Sequence, residues 1–191
     1  MESRLFQALK AFKGADGCEA NLFKEFKKIA EEAFFSGYFL VNGGCKDAYK
    51  LKLTCIEFYY HEDDGNTKDE KKYLKGKDEF GYALGAVCPN PSGVDVLFDD
   101  PQKKYHASFL IRGYKAIEPG KKEWENNEKR KDWAPHDFWY DLFGGANMLS
   151  NGKFSIEWID ESDETLGYAE PMQRININDN RLWGFKRVEK L

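Results

Sequence analysis

The sequence predicts an α+β domain built on an antiparallel sheet. Three observations point there. Two amphipathic helical patterns open the chain, strand patterns then follow one another, and no helices alternate with the strands as parallel crossovers would. At 191 residues the chain has the length of one domain, residues 1–191, and can bury a core without metal or disulfide staples.

The elements follow in order. Leu5, Leu9 and Phe12 share one face of a helix over residues 3–12, and Gly14 and Gly17 break that pattern. Leu22, Phe26, Ile29, Ala30 and Ala33 mark a second helix over residues 20–35, ended near Gly37. A strand at 38–41 leads to a turn at Asn42-Gly43-Gly44. A long strand is predicted over 49–60, where Leu51, Leu53 and Cys55 alternate with Lys50, Lys52 and Thr54. Residues 61–80 read as a charged loop with a short helix, and strands are expected at 93–98 and 107–117. Pro119-Gly120 begins a charged linker to about 132. A helix near 137–142 ends at Gly144-Gly145, and strands near 153–159, 172–177 and 182–188 close the chain.

Composition narrows the function classes. With 41% apolar and 32% charged residues the chain is not disordered, and 16% aromatics supply rings for the interior and for stacking surfaces. No apolar run approaches the roughly 18–20 residues of a transmembrane helix, so no membrane partner is expected. Met1-Glu2-Ser3-Arg4 leads into no signal-peptide hydrophobic region, and a cytoplasmic monomer is expected. The cysteines at 18, 45, 55 and 88 form no Cys-x-x-Cys pair and read as reduced thiols.

Net charge is −4, against the positive field of a protein that clings to bulk nucleic acid. The imbalance is local. Residues 54–100 carry 11 acids and 5 bases, whereas 101–133 carry 9 bases and 5 acids, so Lys103, Lys104, Lys121, Lys122 and Lys129-Arg130-Lys131 mark either a basic surface or solvated loop faces.

The most informative position lies in the strand at 49–60. Continuing its apolar face from Leu51, Leu53 and Cys55 by twos reaches Glu57 and then Tyr59. A carboxylate there needs a cation, donors or water, because isolated burial costs several kcal/mol. The alternative is that the strand changes sides at a bulge, or that Ile56 and Phe58 face the core instead. Arg112, after the apolar Phe109-Leu110-Ile111, is the candidate cation. A Glu and an Arg that share a water can hold and activate it, with the carboxylate as base.

These residues carry a resemblance. Residues 54–59, 92–99 and 109–112, read as Thr-Cys-Ile-Glu-Phe-Tyr, Ser-Gly-Val-Asp-Val-Leu-Phe-Asp and Phe-Leu-Ile-Arg, are similar to three successive strands of the alkyladenine (methylpurine) DNA glycosylase family. Ala33-Phe34-Phe35-Ser36-Gly37, Gly144-Gly145-Ala146-Asn147-Met148-Leu149, Arg174-Ile175-Asn176-Ile177 and Arg181-Leu182-Trp183-Gly184-Phe185 keep the family's order along the chain. The resemblance implies one α+β domain with a curved antiparallel sheet, no metal and no cofactor. It implies hydrolysis of the N-glycosidic bond of a damaged purine flipped out of DNA. Glu57 would activate water, Arg112 would help hold it, and Tyr59 would stack on the base. Ser92-Gly93 falls on the family's Tyr-Gly pair and Asp99 on its strand-ending Asn.

The chain also departs from that pattern. Ser92 replaces the Tyr that wedges into the duplex, and Pro89 and Lys68 replace two stacking groups. Asp99 adds a negative charge expected near Glu57. The water-activating pair is thus kept while wedge and base sandwich are missing, which leaves three readings. One is a hydrolase of N-glycosidic bonds in nucleic acid or nucleosides. The second is an inactive binding module on the same fold. The third is a metal-dependent hydrolase drawing on Glu57, His61, Asp63, Asp64, Asp95, Asp99 and Asp100. His106 and His136 read as capping or surface residues.

Overall fold

The computed structural model describes residues 2–14, 18–41, 48–62, 84–90, 93–99, 105–117, 124–126, 155–161, 166–175 and 177–190. The predicted turn at 42–44, the helix near 137–142 and most of the charged loop and linker lie outside them. The first helix, α1 (Arg4–Ala11), is capped by Ser3, whose hydroxyl accepts from the Phe6 amide. The second, α2 (Glu19–Phe35), buries Leu22, Phe26, Ile29, Ala30, Ala33 and Phe34, the face its periodicity predicts.

The strands are β1 (Gly37–Val41), β2 (Tyr49–Glu62), β3 (Val87–Asn90), β4 (Gly93–Leu97), β5 (Tyr105–Ile117), β6 (Trp124–Asn126), β7 (Ile156–Asp160), β8 (Gly167–Met172) and β9 (Gly184–Glu189). They form one sheet ordered β3-β4-β5-β2-β1-β7, with β6 beside β5 and the β8-β9 hairpin on β2. Every pairing is antiparallel, as the run of consecutive strands predicts. The long strand β2 holds the sheet together. Residues 49–51 pair with β1, residues 55–57 pair with β9, and β5 runs along its other edge.

Both helices pack on one face of this sheet through rings. Phe26 stacks on Phe58 with centroids 4.4 Å apart, and Phe12 stacks on Phe26. The edge of Trp183 meets Phe26. Each buried Phe contributes about 1.5–3 kcal/mol of transfer free energy, so this ring cluster is the main source of cohesion.

The predicted two-residue period of β2 fails once. Leu51 and Leu53 lie in the helix-side core, but so do Ile56, Phe58 and Tyr60. The register explains the change of parity. Leu53 pairs with Tyr114, Cys55 with Gly113 and Ile56 with Ile111. Thr54 is therefore an extra residue on β2, and Arg112 is an extra residue on β5. Two adjoining bulges turn both strands over together. Glu57 is thus not on the face of Leu51 and Leu53, as simple alternation has it. It lies with Cys55 and Tyr59 on the face away from the helices.

Gly113 permits this arrangement, because a Cβ there would come within 2.7 Å of Thr54 Oγ1 and 3.1 Å of Cys55 Cβ. Gly113→Ala is expected to cost about 1–3 kcal/mol, as overpacking does. Urea unfolding measures it, and an unchanged midpoint would mean the bulge has room to spare.

The closing strands also differ from the pattern. Of the strand predicted at 172–177, Met172 ends β8 while the described residues 173–175 and 177 are irregular, and the strand lies earlier, at 167–172. Gly167 and Pro171 disguise it as a turn. Among the described residues β8 pairs only with β9, and one-sided pairing tolerates a proline that cannot donate.

Candidate active site

Bulging places an acid where a sheet normally buries aliphatics. Glu57 pairs with Leu110 on β5 and with Gly184 on β9, in the middle of the sheet, and is 0% exposed. Three donors reach its carboxylate. Arg112 Nε donates to Oε2 at 2.8 Å, Tyr59 Oη donates to Oε2 at 3.0 Å, and the Ile175 amide donates to Oε1 at 2.5 Å. The pair Glu57–Arg112 is buried, with Arg112 8% exposed. Being the extra residue of its strand, Arg112 is released from the ladder to turn toward Glu57.

The electrostatics follow from this geometry. Burial works against the Arg112 charge, but the Glu57 carboxylate and the Tyr59 oxygen outweigh it, so the guanidinium holds its proton more tightly than usual. Burial, then the Glu57 charge, push the Tyr59 hydroxyl far above its ordinary range, so it is a proton donor to Glu57 at any working pH.

The third donor comes from the β8-β9 connection. Met172 pairs with Gly184, so residues 173–183 are the loop of this hairpin. Opposite Glu57, Gly184 carries no side chain, and a Cβ would meet Met172 Cγ at 2.9 Å. The loop crosses the face that carries Glu57. Ile177 packs against Tyr59 and Leu110. Arg174 donates to the Phe58 carbonyl and lies 5.1 Å from the ring centroids of both Tyr59 and Trp183. Asp179 clasps the loop by accepting from Arg174 Nη2, Arg181 Nε and the Arg181 amide.

Burial pushes the Asp179 carboxyl up, but Arg181, through side chain and backbone, and then Arg174, outweigh it and hold it at about 2, below the ordinary 3.8. A carboxyl lowered in the folded state stabilises it above the unfolded value, and that contribution is lost as pH falls through the folded one. The clasp is therefore expected to loosen between about pH 4 and pH 2, with no change between pH 5 and pH 8. Trp183 lies in contact with both arginines, so its fluorescence in an acid titration reports the loosening. Loss near pH 6 would contradict the assignment to Asp179.

Of the residues singled out in the sequence, Glu57, Tyr59 and Arg112 meet in one network. Gly93 begins β4 with φ +138°, next to Val94, which pairs with Ile111, so it lies beside the Arg112 position. Its missing Cβ would come within 3.1 Å of Leu110 Cδ1, so Gly93 gives room to the residue opposite Glu57. Ser92 and Lys68 lie outside the described residues.

Asp99 is placed elsewhere. It accepts from the Ala107 amide at 2.7 Å and meets His106 Nδ1 at 3.3 Å. Ala107 pairs with Tyr60, three positions from the Glu57–Leu110 pair, or about 10 Å along the strand. The like charge expected beside Glu57 is not Asp99. Asp99 follows the end of β4 and bonds the start of β5 at Ala107, which gives His106 a partner the sequence did not suggest.

Asp95, which the sequence offers only as a metal ligand, is another buried polar residue of this sheet. Asp95 pairs with Leu110 and so shares a row of the sheet with Glu57, and its Oδ1 accepts from Ser108 Oγ at 3.1 Å. The loop residues Arg174, Ile175 and Asp179 were missed because their roles rest on backbone crossing, which no period encodes. Among the described residues no group of three or more His, Cys, Asp or Glu side chains is placed to hold a metal ion, and Asp63, Asp64 and Asp100 lie outside them. Among the described residues Cys18, Cys55 and Cys88 form no disulfide. No described helix is long and apolar enough to cross a membrane.

Comparison with family models, with curated proteins and with solved structures gives no match to this chain.

Proposed function

We propose that the protein hydrolyses an N-glycosidic bond to a purine base, with Glu57 activating the attacking water and Arg112 fixing the carboxylate. The arrangement of donors at Glu57 carries this reading. A carboxylate offers about four acceptor positions. Arg112 and Tyr59 take Oε2, and the Ile175 amide takes one side of Oε1. The second position on Oε1 is suited to a water, and the opposite cation orients the carboxylate as a general base must be oriented. The likeness to the methylpurine DNA glycosylases, in fold and in the spacing of Glu57, Tyr59 and Arg112, belongs to this proposal.

A specific observation favours a second reading, an inactive binding module on the same fold. Glu57 is fully buried beneath the 173–183 loop, so no substrate reaches it in the described conformation. Turnover separates the two.

Substrate form follows from Ser92. With no wedge to fill the gap left by an extruded base, the protein cannot pay the few kcal/mol of unstacking in a duplex. Hydrolysis of hypoxanthine- or methyladenine-containing substrates is expected to run faster on single strands or free nucleosides than on duplex. Preference for duplex would overturn the wedge argument, and no turnover in any form would favour the binding module.

A further inference from the structure

We infer that the 173–183 loop is a gate, and that the described conformation is its closed state, with the Ile175 amide holding the acceptor oxygen that must face substrate. The inference rests on the reading of Glu57 as the water-activating group. Three observations support it. The loop spans eleven residues between the paired Met172 and Gly184, so its ends stay fixed while its body swings. Residues 177–183 have no regular secondary structure, and contacts that single substitutions can remove hold the loop over the site. They include the Ile175–Glu57 hydrogen bond, Ile177 on Tyr59 and Leu110, and the Asp179 clasp on Arg174 and Arg181, while Arg174 itself is buried and bonded to the Phe58 carbonyl. Beyond the loop body, Trp183 is anchored independently, with its carbonyl accepting from the Phe58 amide and its ring in the helix-side core. That anchor at one end, and buried Arg174 on the Phe58 carbonyl at the other, let the loop body between them lift without unzipping β9.

Chemistry makes such a gate necessary. A base that draws a proton from water cannot work while fully covered, and a closed cover excludes bulk water once substrate is bound. In the resting protein only the open fraction binds, and apparent affinity falls by that fraction. Weakening the clasp should raise the open fraction without touching Glu57, Tyr59 or Arg112.

Amide hydrogen exchange on the whole chain, without substrate, tests the gate separately from the chemistry. The Ile175 amide should exchange by local opening, faster than the β2 and β5 amides that need global unfolding. Asp179→Asn should speed it about tenfold or more while those strand amides stay unchanged. Ile177→Ala, which trims the plug on Tyr59, should act in the same direction and serves if the Asp179 variant folds poorly. Exchange of Ile175 only together with β2 and β5 would overturn the gate, as would clasp and plug variants that leave it unchanged. Where the wild type turns substrate over, the opened variants should do so faster at limiting substrate. Slower turnover in variants that exchange faster would also overturn it. Lack of turnover in every form removes the hydrolase reading and leaves the exchange result to decide the gate.

Discussion

Replacing Arg112 with Met is expected to cost about 3–5 kcal/mol, because it strands a buried carboxylate without its cation. Glu57 lies at 0% exposure with Arg112 Nε 2.8 Å away. The remaining donors, the Tyr59 hydroxyl and the Ile175 amide, are neutral and cannot repay the desolvation of a charge. Glu57→Gln with Arg112→Met removes both charges together and should recover most of the loss, since apolar or neutral substitutes for a buried pair are often tolerated. Urea unfolding of the two single variants and the double variant closes the cycle. A loss from Arg112→Met near zero would mean that Glu57 is solvated rather than buried. An additive double variant would mean the two residues do not interact.

Glu57→Gln alone is expected to lower turnover by about 10²–10⁴-fold, the range a positioned general base supplies. The amide fills the same space and keeps an oxygen acceptor for Arg112, so the fold should survive, at a stability lowered by the unpaired guanidinium. Only the capacity to take a proton from water is lost. Single-turnover kinetics on wild type and variant measure the ratio, with circular dichroism as the control for folding. Equal rates would assign any activity to another group, and Asp95, on the same row of the sheet, would be the next to replace.

Much of the fold was legible because it depends on local periodicity. The helix face of Leu22, Phe26, Ile29, Ala30 and Ala33 and the strands around Leu51 and Phe109 follow from spacing alone. The bulges at Thr54 and Arg112 were not, because nothing in the period says where a strand slips. Glu57 was conspicuous as an acid in an apolar strand. Its partner Arg112 was reachable as the nearest cation on a similar strand. The face on which they meet needed the register. Asp99 was misplaced for a related reason. Aligned in sequence it stands near the site, but past the end of β4 it accepts from the Ala107 amide instead. A strand is expected at 172–177, where Arg174-Ile175-Asn176-Ile177 resembles a closing strand of the family, yet Arg174 and Ile175 reach the Phe58 carbonyl and the Glu57 and Asp179 carboxylates instead of forming a ladder.

The central claim is that Glu57, held by Arg112 and Tyr59, activates water to break a purine N-glycosidic bond. Release of free base tests it most directly. The purified full chain is incubated in excess over a single-stranded oligonucleotide carrying one deoxyinosine or one methylated adenine, and free purine is measured by mass spectrometry. The account predicts free base from the wild type, with one abasic site formed for each base released. No free base from the single strand, or from the corresponding nucleosides, would contradict it.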